Sequence, residues 1–125
     1  MSHPDAPAAY RVLLVEDEYF LAQDLAEAFK ARGAEIVGPV PSVDEALALI
    51  ADGSRLDGAV LDLNLQGEIA YVVADTLQER GIPFVFATGY DQAVIPPRYA
   101  LARYCGKPLD AKEVAQALLV SPAAA

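Results

Sequence analysis

The residues of this sequence that are best suited to chemistry lie where short apolar runs end. They combine three carboxylates, a hydroxyl and an ammonium group. These residues are Glu16, Asp17, Asp62, Thr88 and Lys107. Two carboxylates about 5 Å apart repel each other by roughly 3 kcal/mol at an effective dielectric constant of about 20, so three of them need a cation to remain ionised together. Mg²⁺ suits this role, because it binds carboxylate oxygens, a backbone carbonyl and water molecules.

The same set of residues fits the chemistry of phosphoryl transfer. With a metal ion held beside it, Asp62 is a candidate nucleophile toward phosphorus and would form an aspartyl phosphate. The hydroxyl of Thr88 would bond one phosphoryl oxygen while Lys107 neutralises another. Each residue alone has an ordinary explanation as part of a helix N-terminus, a strand or a loop, and their joint placement favours the chemical interpretation.

The elements that must position these residues alternate between strands and helices. Short apolar runs predict five strands, at residues 11–15, 35–40, 58–63, 84–88 and 101–106. Apolar residues at helical spacing, each series closed by a glycine, predict helices after the first three strands. Ser42 and Glu45 form a capping box for the second of these helices. The third should begin near Glu68 and include Ile69.

This alternation predicts an α/β fold, a doubly wound five-stranded parallel sheet with flanking helices. In such sheets ligands bind beyond the carboxyl ends of the strands, where the five reactive residues lie. The fourth helix should be short or irregular, because Pro96 and Pro97 forbid a long helix before the fifth strand. We expect one domain at residues 10–120 with flexible tails at 1–9 and 121–125, which leaves no room for an output domain.

Composition and charge limit the classes of function. The chain has 125 residues and a mass of 13.3 kDa, which is enough for one domain. Its net charge of −9 has the wrong sign for binding nucleic acid or an anionic membrane. The single cysteine, Cys105, excludes an internal disulfide and a Cys-rich zinc site. Since no secretory or membrane-length apolar stretch is present, the expected location is cytoplasmic.

Four short motifs carry a resemblance to a known family. They are VLLVEDE with Glu16 and Asp17, VLDLNL with Asp62, FATGY with Thr88, and YCGKP with Lys107. In this order, each at the end of its own predicted strand, they resemble a response-regulator receiver domain over about residues 10–119. The resemblance implies a flavodoxin-like, receiver-type fold. It also implies a single-domain response regulator of two-component signalling, which is a phosphoacceptor and not an enzyme.

The resemblance further implies roles for individual residues. Asp62 would accept a phosphoryl group from the phosphohistidine of a histidine kinase or a phosphotransferase, giving a 4-aspartylphosphate. Mg²⁺ would be bound by Asp17, Asp62 and the backbone carbonyl of Asn64, and Glu16 would reach the ion through water. Lys107-Pro108 resembles the family's cis peptide, which would aim the lysine at the site.

A narrower resemblance lies at residues 83–90 (PFVFATGY), which match the signature of the FATGUY receivers. These are often stand-alone proteins beside HWE-type histidine kinases. Lys107 follows Thr88 by 19 positions, a few fewer than in ordinary receivers, and the deficit falls on the segment that contains Pro96 and Pro97. The family's usual dimerisation surface is therefore not carried over to this chain.

The resemblance also places a switch residue at Tyr104, three residues before Lys107. Its ring would turn inward as the Thr88 hydroxyl moves toward the phosphoryl group, changing a protein-binding surface between the fourth and fifth strands. Tyr90 is a second candidate switch residue. Tyr104 is equally well explained as a residue of an amphipathic strand, and Tyr90 is similarly open.

Two other classes of function fit the residues of this sequence less well. A small haloacid-dehalogenase-like phosphatase would use Asp62 as its nucleophile, since Asp62-Leu63-Asn64 resembles the Asp-x-Asp motif. Asn64 cannot act as the second acid, however, and the paired acids Glu16 and Asp17 precede the nucleophile. A flavodoxin-like mononucleotide binder would need a glycine-rich or hydroxyl-rich phosphate loop after the first strand, where this chain has acids.

Overall fold

The computed structural model describes residues 9–119 of the chain. Nearly all of the predicted N-terminal tail and the whole of the predicted C-terminal tail lie outside the described residues. The strands are β1 Arg11–Val15, β2 Glu35–Val40, β3 Gly58–Leu61, β4 Asn64–Leu65, β5 Glu68–Ile69, β6 Phe84–Thr88 and β7 Arg103–Gly106. The helices are α1 Tyr19–Lys30, α2 Val43–Ala51, α3 Tyr71–Glu79 and α4 Ala111–Leu119, with 3₁₀ helices at Gln92–Val94 and Pro97–Tyr99.

Five of the strands form a parallel sheet in the order β2-β1-β3-β6-β7. This confirms the predicted doubly wound fold. The chain first winds from β1 outward to β2 and then crosses back to β3 on the other side of β1. The direction of winding thus reverses between β1 and β3, and the carboxyl ends of these strands border the crevice where such folds bind ligands.

The two faces of the sheet carry separate hydrophobic cores. Leu13 and Val15 of β1 join the core that α2 and α3 cover, whereas Val12 and Leu14 join the core that α1 and α4 cover. All four side chains are fully buried, because successive residues of a strand point to opposite faces and both faces are covered. An uninterrupted apolar run followed by acids is therefore what places Glu16 at the edge of the sheet.

The segment after β3 differs from the prediction. Strand β3 ends at Leu61, and the next residues form an antiparallel hairpin of β4 and β5, so the expectation that a helix begins near Glu68 and includes Ile69 is wrong. Gln66 and Gly67 both have positive φ, as a type I′ hairpin turn requires. Buried Leu65 anchors the hairpin to the core, and helix α3 begins only at Tyr71.

The connection between β6 and β7 contains two 3₁₀ helices and no α-helix, as the two prolines predict. Pro97 is the first residue of the second 3₁₀ helix. Strand β7 begins at Arg103 and not at residue 101, because the Ala102 N–H donates to the Tyr99 carbonyl and prolongs the turn. Leu101, predicted to lie in the strand, is 98% exposed.

Aromatic and charged contacts attach Arg98 and Tyr99, in the second 3₁₀ helix of this connection, to helix α3. The Tyr99 ring is buried against Phe86, with the ring centres 5.5 Å apart. Its hydroxyl donates to Asp75 Oδ1 and lies 3.2 Å from the Tyr71 carbonyl, and the Arg98 guanidinium also donates to Asp75 Oδ1, at 3.0 Å. These bonds from Arg98 and Tyr99 hold the pKa of the Asp75 carboxyl below its usual range.

The capping box of α2 and the cis peptide before Pro108 were both predicted from the sequence, and both are present. The Glu45 N–H donates to Ser42 Oγ, and the Ser42 hydroxyl donates to the Glu45 carboxylate, which confirms the capping box at α2. A cis peptide between Lys107 and Pro108 is present as expected, whereas a second one, between Gly38 and Pro39, was not predicted. Within residues 9–119, none of the helices has the length and apolar character that crossing a bilayer requires.

Candidate functional site

A pocket of about 360 Å³ opens at the carboxyl ends of the strands. It is lined by Asp17, Glu18, Asp62, Asn64, Thr88, Gly89, Tyr90 and Lys107. Glu16 lies beneath this surface, with 3% of its area exposed, and its carboxylate bonds the same lysine. The fold thus brings together the five reactive residues, and also Asn64 and Tyr90.

Glu16 continues β1 into the site. Its N–H donates to the Val40 carbonyl, and its Oε2 accepts from the Glu18 N–H at 3.0 Å and from Lys107 Nζ at 3.3 Å. Burial raises the pKa of Glu16 to about 7, and the negative charge of Asp62 adds to this, against the opposing hydrogen bonds from Glu18 and Lys107. The positive charge of Lys107 is therefore not enough to keep the Glu16 carboxyl at its usual pKa.

Asp62 occupies the crevice between β1 and β3. Its N–H donates to the Val15 carbonyl at 3.0 Å, which ties it to the end of β1. Its carboxylate, with only 3% of the residue exposed, accepts from the Asn64 N–H at Oδ1 (3.1 Å) and from Lys107 Nζ at Oδ2 (2.8 Å). Two fixed donors thus orient this carboxylate at the floor of the pocket.

Lys107 supplies the positive charge of the site. Its N–H donates to the Thr88 carbonyl, which places it beside the end of β6. Its ammonium lies 2.8 Å from Asp62, 3.3 Å from Glu16 and 3.5 Å from Glu18. Burial disfavours the charged form, but the bonds and charges of Asp62 and Glu16 outweigh burial and raise the pKa of Lys107. The single ammonium group of Lys107 therefore forms ion pairs with three carboxylates.

The acids of the site are arranged to accept a further cation. Glu16, Asp17 and Asp62 each offer one carboxylate oxygen, and these oxygens lie within 4.8 Å of one another. Glu16 Oε1 is buried and has no hydrogen-bond partner among the described residues. Since a buried oxygen without a partner costs roughly 1–3 kcal/mol, a cation or its bound water fits this position. The donors are all oxygens, as Mg²⁺ prefers.

A chain of hydrogen bonds leads from Thr88 to Tyr104. Thr88 is fully buried, and its Oγ1 accepts from the Tyr90 N–H at 3.3 Å. The Tyr104 hydroxyl donates to the Tyr90 carbonyl at 2.6 Å, and its half-buried ring packs against the core. The backbone of Tyr90 is therefore held on both sides, by the hydroxyl oxygen of Thr88 and the hydroxyl group of Tyr104.

Comparison with known proteins agrees with this geometry. No family model matches the chain. SdrG from Sphingomonas melonis Fr1 is 38% identical, with a TM-score of 0.76 over 90% of this chain and 96% of SdrG. A response regulator receiver domain (CheY-like) from Methylobacillus flagellatus has a TM-score of 0.76 at 24% identity, over 91% of this chain and 98% of that one. The chain belongs to the response-regulator receiver family.

A curated relative of this receiver is longer than the chain itself. The transcriptional regulatory protein PdtaR from Mycobacterium tuberculosis is 33% identical over 89 residues, which are 70% of this chain and 43% of PdtaR. The chain thus spans less than half of the length of that relative. The receiver belongs to two-component signalling, and the phosphatase alternative finds no support among these relatives.

Two backbone contacts of the receiver site were not predicted from the sequence. The Gln66 N–H donates to Asp17 Oδ2 at 2.8 Å, and the Tyr90 backbone joins Thr88 to Tyr104. The glycine at position 67, between the polar residues Gln66 and Glu68, was an available signal for a turn. The Tyr90 contacts have no equivalent signal, because they depend on backbone groups and not on the type of side chain.

Proposed function

We propose that this receiver takes a phosphoryl group onto Asp62 from the phosphohistidine of a histidine kinase or a phosphotransferase. The observation that carries the proposal is the buried Asp62 carboxylate, which Lys107 bonds at 2.8 Å beside two further acids. A carboxylate held by fixed donors at the floor of an open pocket is suited to nucleophilic attack. Asp62 is thus the acceptor and Lys107 its electrostatic partner.

The transfer exchanges one bond to phosphorus for another. A carboxylate oxygen of Asp62 attacks the phosphorus while the phosphorus–nitrogen bond to the donor imidazole breaks, and the electron pair stays on that nitrogen, which takes up a proton. The product carries its new negative charge beside Lys107, whose ammonium can turn from the carboxylate to a phosphoryl oxygen. Thr88 lines the same pocket, and its hydroxyl would donate to a second oxygen.

The acids would hold Mg²⁺ during this reaction. Asp17, Asp62 and the backbone carbonyl of Asn64 would bind the ion directly, and Glu16 would reach it through water. The orphaned Glu16 Oε1 and the three converging oxygens support this set. When bound, Mg²⁺ supplies charge neutralisation to the acids and to the incoming phosphoryl group.

Removal of divalent metal is expected to abolish phosphorylation of the receiver. Without the cation, the acids repel the phosphoryl dianion and Lys107 alone must balance them. Labelling by a ³²P-phosphorylated histidine kinase would be measured in Mg²⁺ and in EDTA, with re-addition of Mg²⁺ as the control. Labelling in EDTA at the rate seen in Mg²⁺ would overturn the metal-dependent mechanism.

The Thr88–Tyr90–Tyr104 chain supports a switch that responds to the phosphoryl group. If Thr88 Oγ1 turns toward a phosphoryl oxygen, it no longer accepts from the Tyr90 N–H, so one of the two bonds that hold Tyr90 is lost. Tyr104 and the loop that contains Tyr90 can then change position together. The phosphoryl group thereby shifts the population between two arrangements. The surface between β6 and β7 would report the change to a downstream protein.

Replacing Tyr104 by phenylalanine tests this switch. The change removes the bond to the Tyr90 carbonyl and keeps the ring, so amide exchange at residues 89–95 should quicken in the unphosphorylated protein. The difference in exchange between the protein with and without beryllofluoride should also shrink. Tyr71→Phe is the matched control, since within the described part of the chain the Tyr71 hydroxyl takes no part in the contacts that join Thr88, Tyr90 and Tyr104. Identical exchange in Tyr104→Phe and the unaltered protein would place the switch elsewhere.

We further propose that the donor is a kinase of the HWE type and that the receiver is of the FATGUY subgroup. Residues 83–90 and the absence of an α-helix between β6 and β7 within the described residues support this assignment. Phosphotransfer profiling against purified kinases of several types would test it, and faster transfer from other types would contradict it. As a phosphoacceptor, the receiver should show no sustained turnover of small phosphomonoesters.

A further inference from the structure

The hairpin of β4 and β5 connects to two of the acids through its backbone. At its start, the Asn64 N–H donates to Asp62 Oδ1 at 3.1 Å. At its turn, the Gln66 N–H donates to Asp17 Oδ2 at 2.8 Å, across 49 positions of sequence. Asp17 is partly exposed, so an outside contact is needed to hold its side chain in one orientation.

The turn that supplies this N–H is strained. Gln66 has a φ of 54°, and among residues 9–119 it is the one residue other than glycine with a positive φ. Such a conformation costs roughly 1–3 kcal/mol and persists only where neighbouring contacts determine it. Those contacts are present, since Leu65 is 1% exposed and the Gly67 N–H donates to Asn64 Oδ1. Strain at a functional pocket indicates a constraint on what the backbone must reach.

We propose that the Gln66-Gly67 turn positions the Asp17 carboxylate for metal binding. The Gln66 N–H fixes one oxygen of Asp17 and leaves the other for the cation, so that the loop after β3 sets the affinity of the site for Mg²⁺. Gln66 acts through its backbone and is a positioning residue. The inference rests on the proposed function, because it assumes that Asp17 binds the metal.

Two substitutions at Gly67 distinguish the effect of the backbone conformation of the turn from the effect of adding a side chain there. Gly67 has a φ of 86°, and a Cβ added there would meet nothing within 4 Å. A Cβ therefore has room in both variants, but asparagine tolerates a positive φ whereas valine is strongly disfavoured there. Gly67→Val should displace the Gln66 N–H, and Gly67→Asn should leave it in place.

The measurement is Mg²⁺ affinity, from the chemical shifts of pocket amides during a titration with MgCl₂. We expect Gly67→Val to bind Mg²⁺ about 10-fold more weakly, as loss of an outer partner of a metal ligand does. Gly67→Asn should match the unaltered protein. In an Asp17→Ala background the Gly67→Val effect should vanish, because the contact it disturbs is already gone. A folded Gly67→Val variant with unaltered affinity would overturn the inference.

A second readout covers the case in which Gly67→Val does not fold. In the metal-free protein, Asp17→Ala should speed amide exchange at Gln66, since its acceptor is removed. An unchanged exchange rate would overturn the inference. If the unaltered protein shows no saturable Mg²⁺ binding, the proposed function fails together with the inference. If binding depends on Asp17 but not on Gly67→Val, only the role of the hairpin fails.

Discussion

Replacement of Asp62 by asparagine is expected to reduce phosphorylation of this receiver to background. The amide cannot attack phosphorus as a carboxylate does, and the carboxylate that it replaces is the one that Lys107 bonds at 2.8 Å. The fold should survive, because asparagine keeps an oxygen to accept from the Asn64 N–H and Lys107 keeps its contact with Glu16. Labelling by a ³²P-phosphorylated kinase in Mg²⁺ gives the measurement.

The Asp52→Asn variant is the matched control for this experiment. Asp52 ends α2, its side chain accepts from the Ser54 N–H, and it does not line the pocket. Its labelling should equal that of the unaltered protein. Undiminished labelling of Asp62→Asn, or mapping of the phosphoryl group to another residue by mass spectrometry, would remove Asp62 from its role as acceptor.

Replacement of Lys107 by methionine is expected to destabilise the metal-free protein by about 3 kcal/mol near neutral pH. Removing one partner of a buried ion pair leaves an uncompensated charge, which costs roughly 3–5 kcal/mol, and here the 19% exposure of the lysine side chain favours the lower value. Glu16 and Asp62 would then lie buried with no ammonium between them. Urea unfolding in EDTA measures the loss.

The loss should depend on pH in a direction that the acids determine. Burial has already raised the pKa of Glu16 to about 7, and removal of Lys107 raises it further. An acid whose pKa is raised by folding stabilises the protein below its unfolded pKa and loses that contribution as the pH rises through its folded pKa. The effect of Lys107→Met should therefore be largest above about pH 7 and smaller near pH 5, where Glu16 is neutral in both proteins.

Two controls accompany the Lys107 variant. Lys112→Met changes an exposed lysine of α4 and should alter the free energy of unfolding little. Mg²⁺ should restore part of the stability of Lys107→Met, since a cation bound by the acids replaces the lost charge. A Lys107→Met protein as stable as the unaltered one at neutral pH would show that the ammonium does not balance the buried acids.

The sequence predicts those parts of the fold that depend on continuous burial. The bounds of β1 and β6 coincide with their apolar runs, and these runs are uninterrupted because helices cover both faces of the sheet. The reactive residues were found for the same reason, since acids, a threonine and a lysine at the ends of such strands must meet. The placement of Asp62 between β1 and β3 follows from topology alone.

The remainder of the site depends on contacts that side-chain types do not encode. The helical spacing of Ile69 with later apolar residues predicts a longer α3, but the Gln66-Gly67 turn pairs Ile69 with Asn64 in the hairpin. The bond between Asp17 and the Gln66 N–H joins backbone to side chain over a long separation, so no local pattern marks it. Similarly, the hydrogen bond from the Ala102 N–H to the Tyr99 carbonyl keeps Leu101 in the turn before β7, and its side chain is exposed.

The anchoring of Tyr99 limits how much of the surface a phosphoryl group can alter. Its ring is part of the core and its hydroxyl bonds α3, so the backbone at Tyr99 cannot shift without opening the interior. The stretch that would respond to a phosphoryl group is therefore bounded by Gly89 at the pocket and by Arg98, whose guanidinium pairs with Asp75, together with the side chain of Tyr104. Any downstream protein must distinguish the two states from an epitope of fewer than about a dozen residues, where a few central contacts decide affinity.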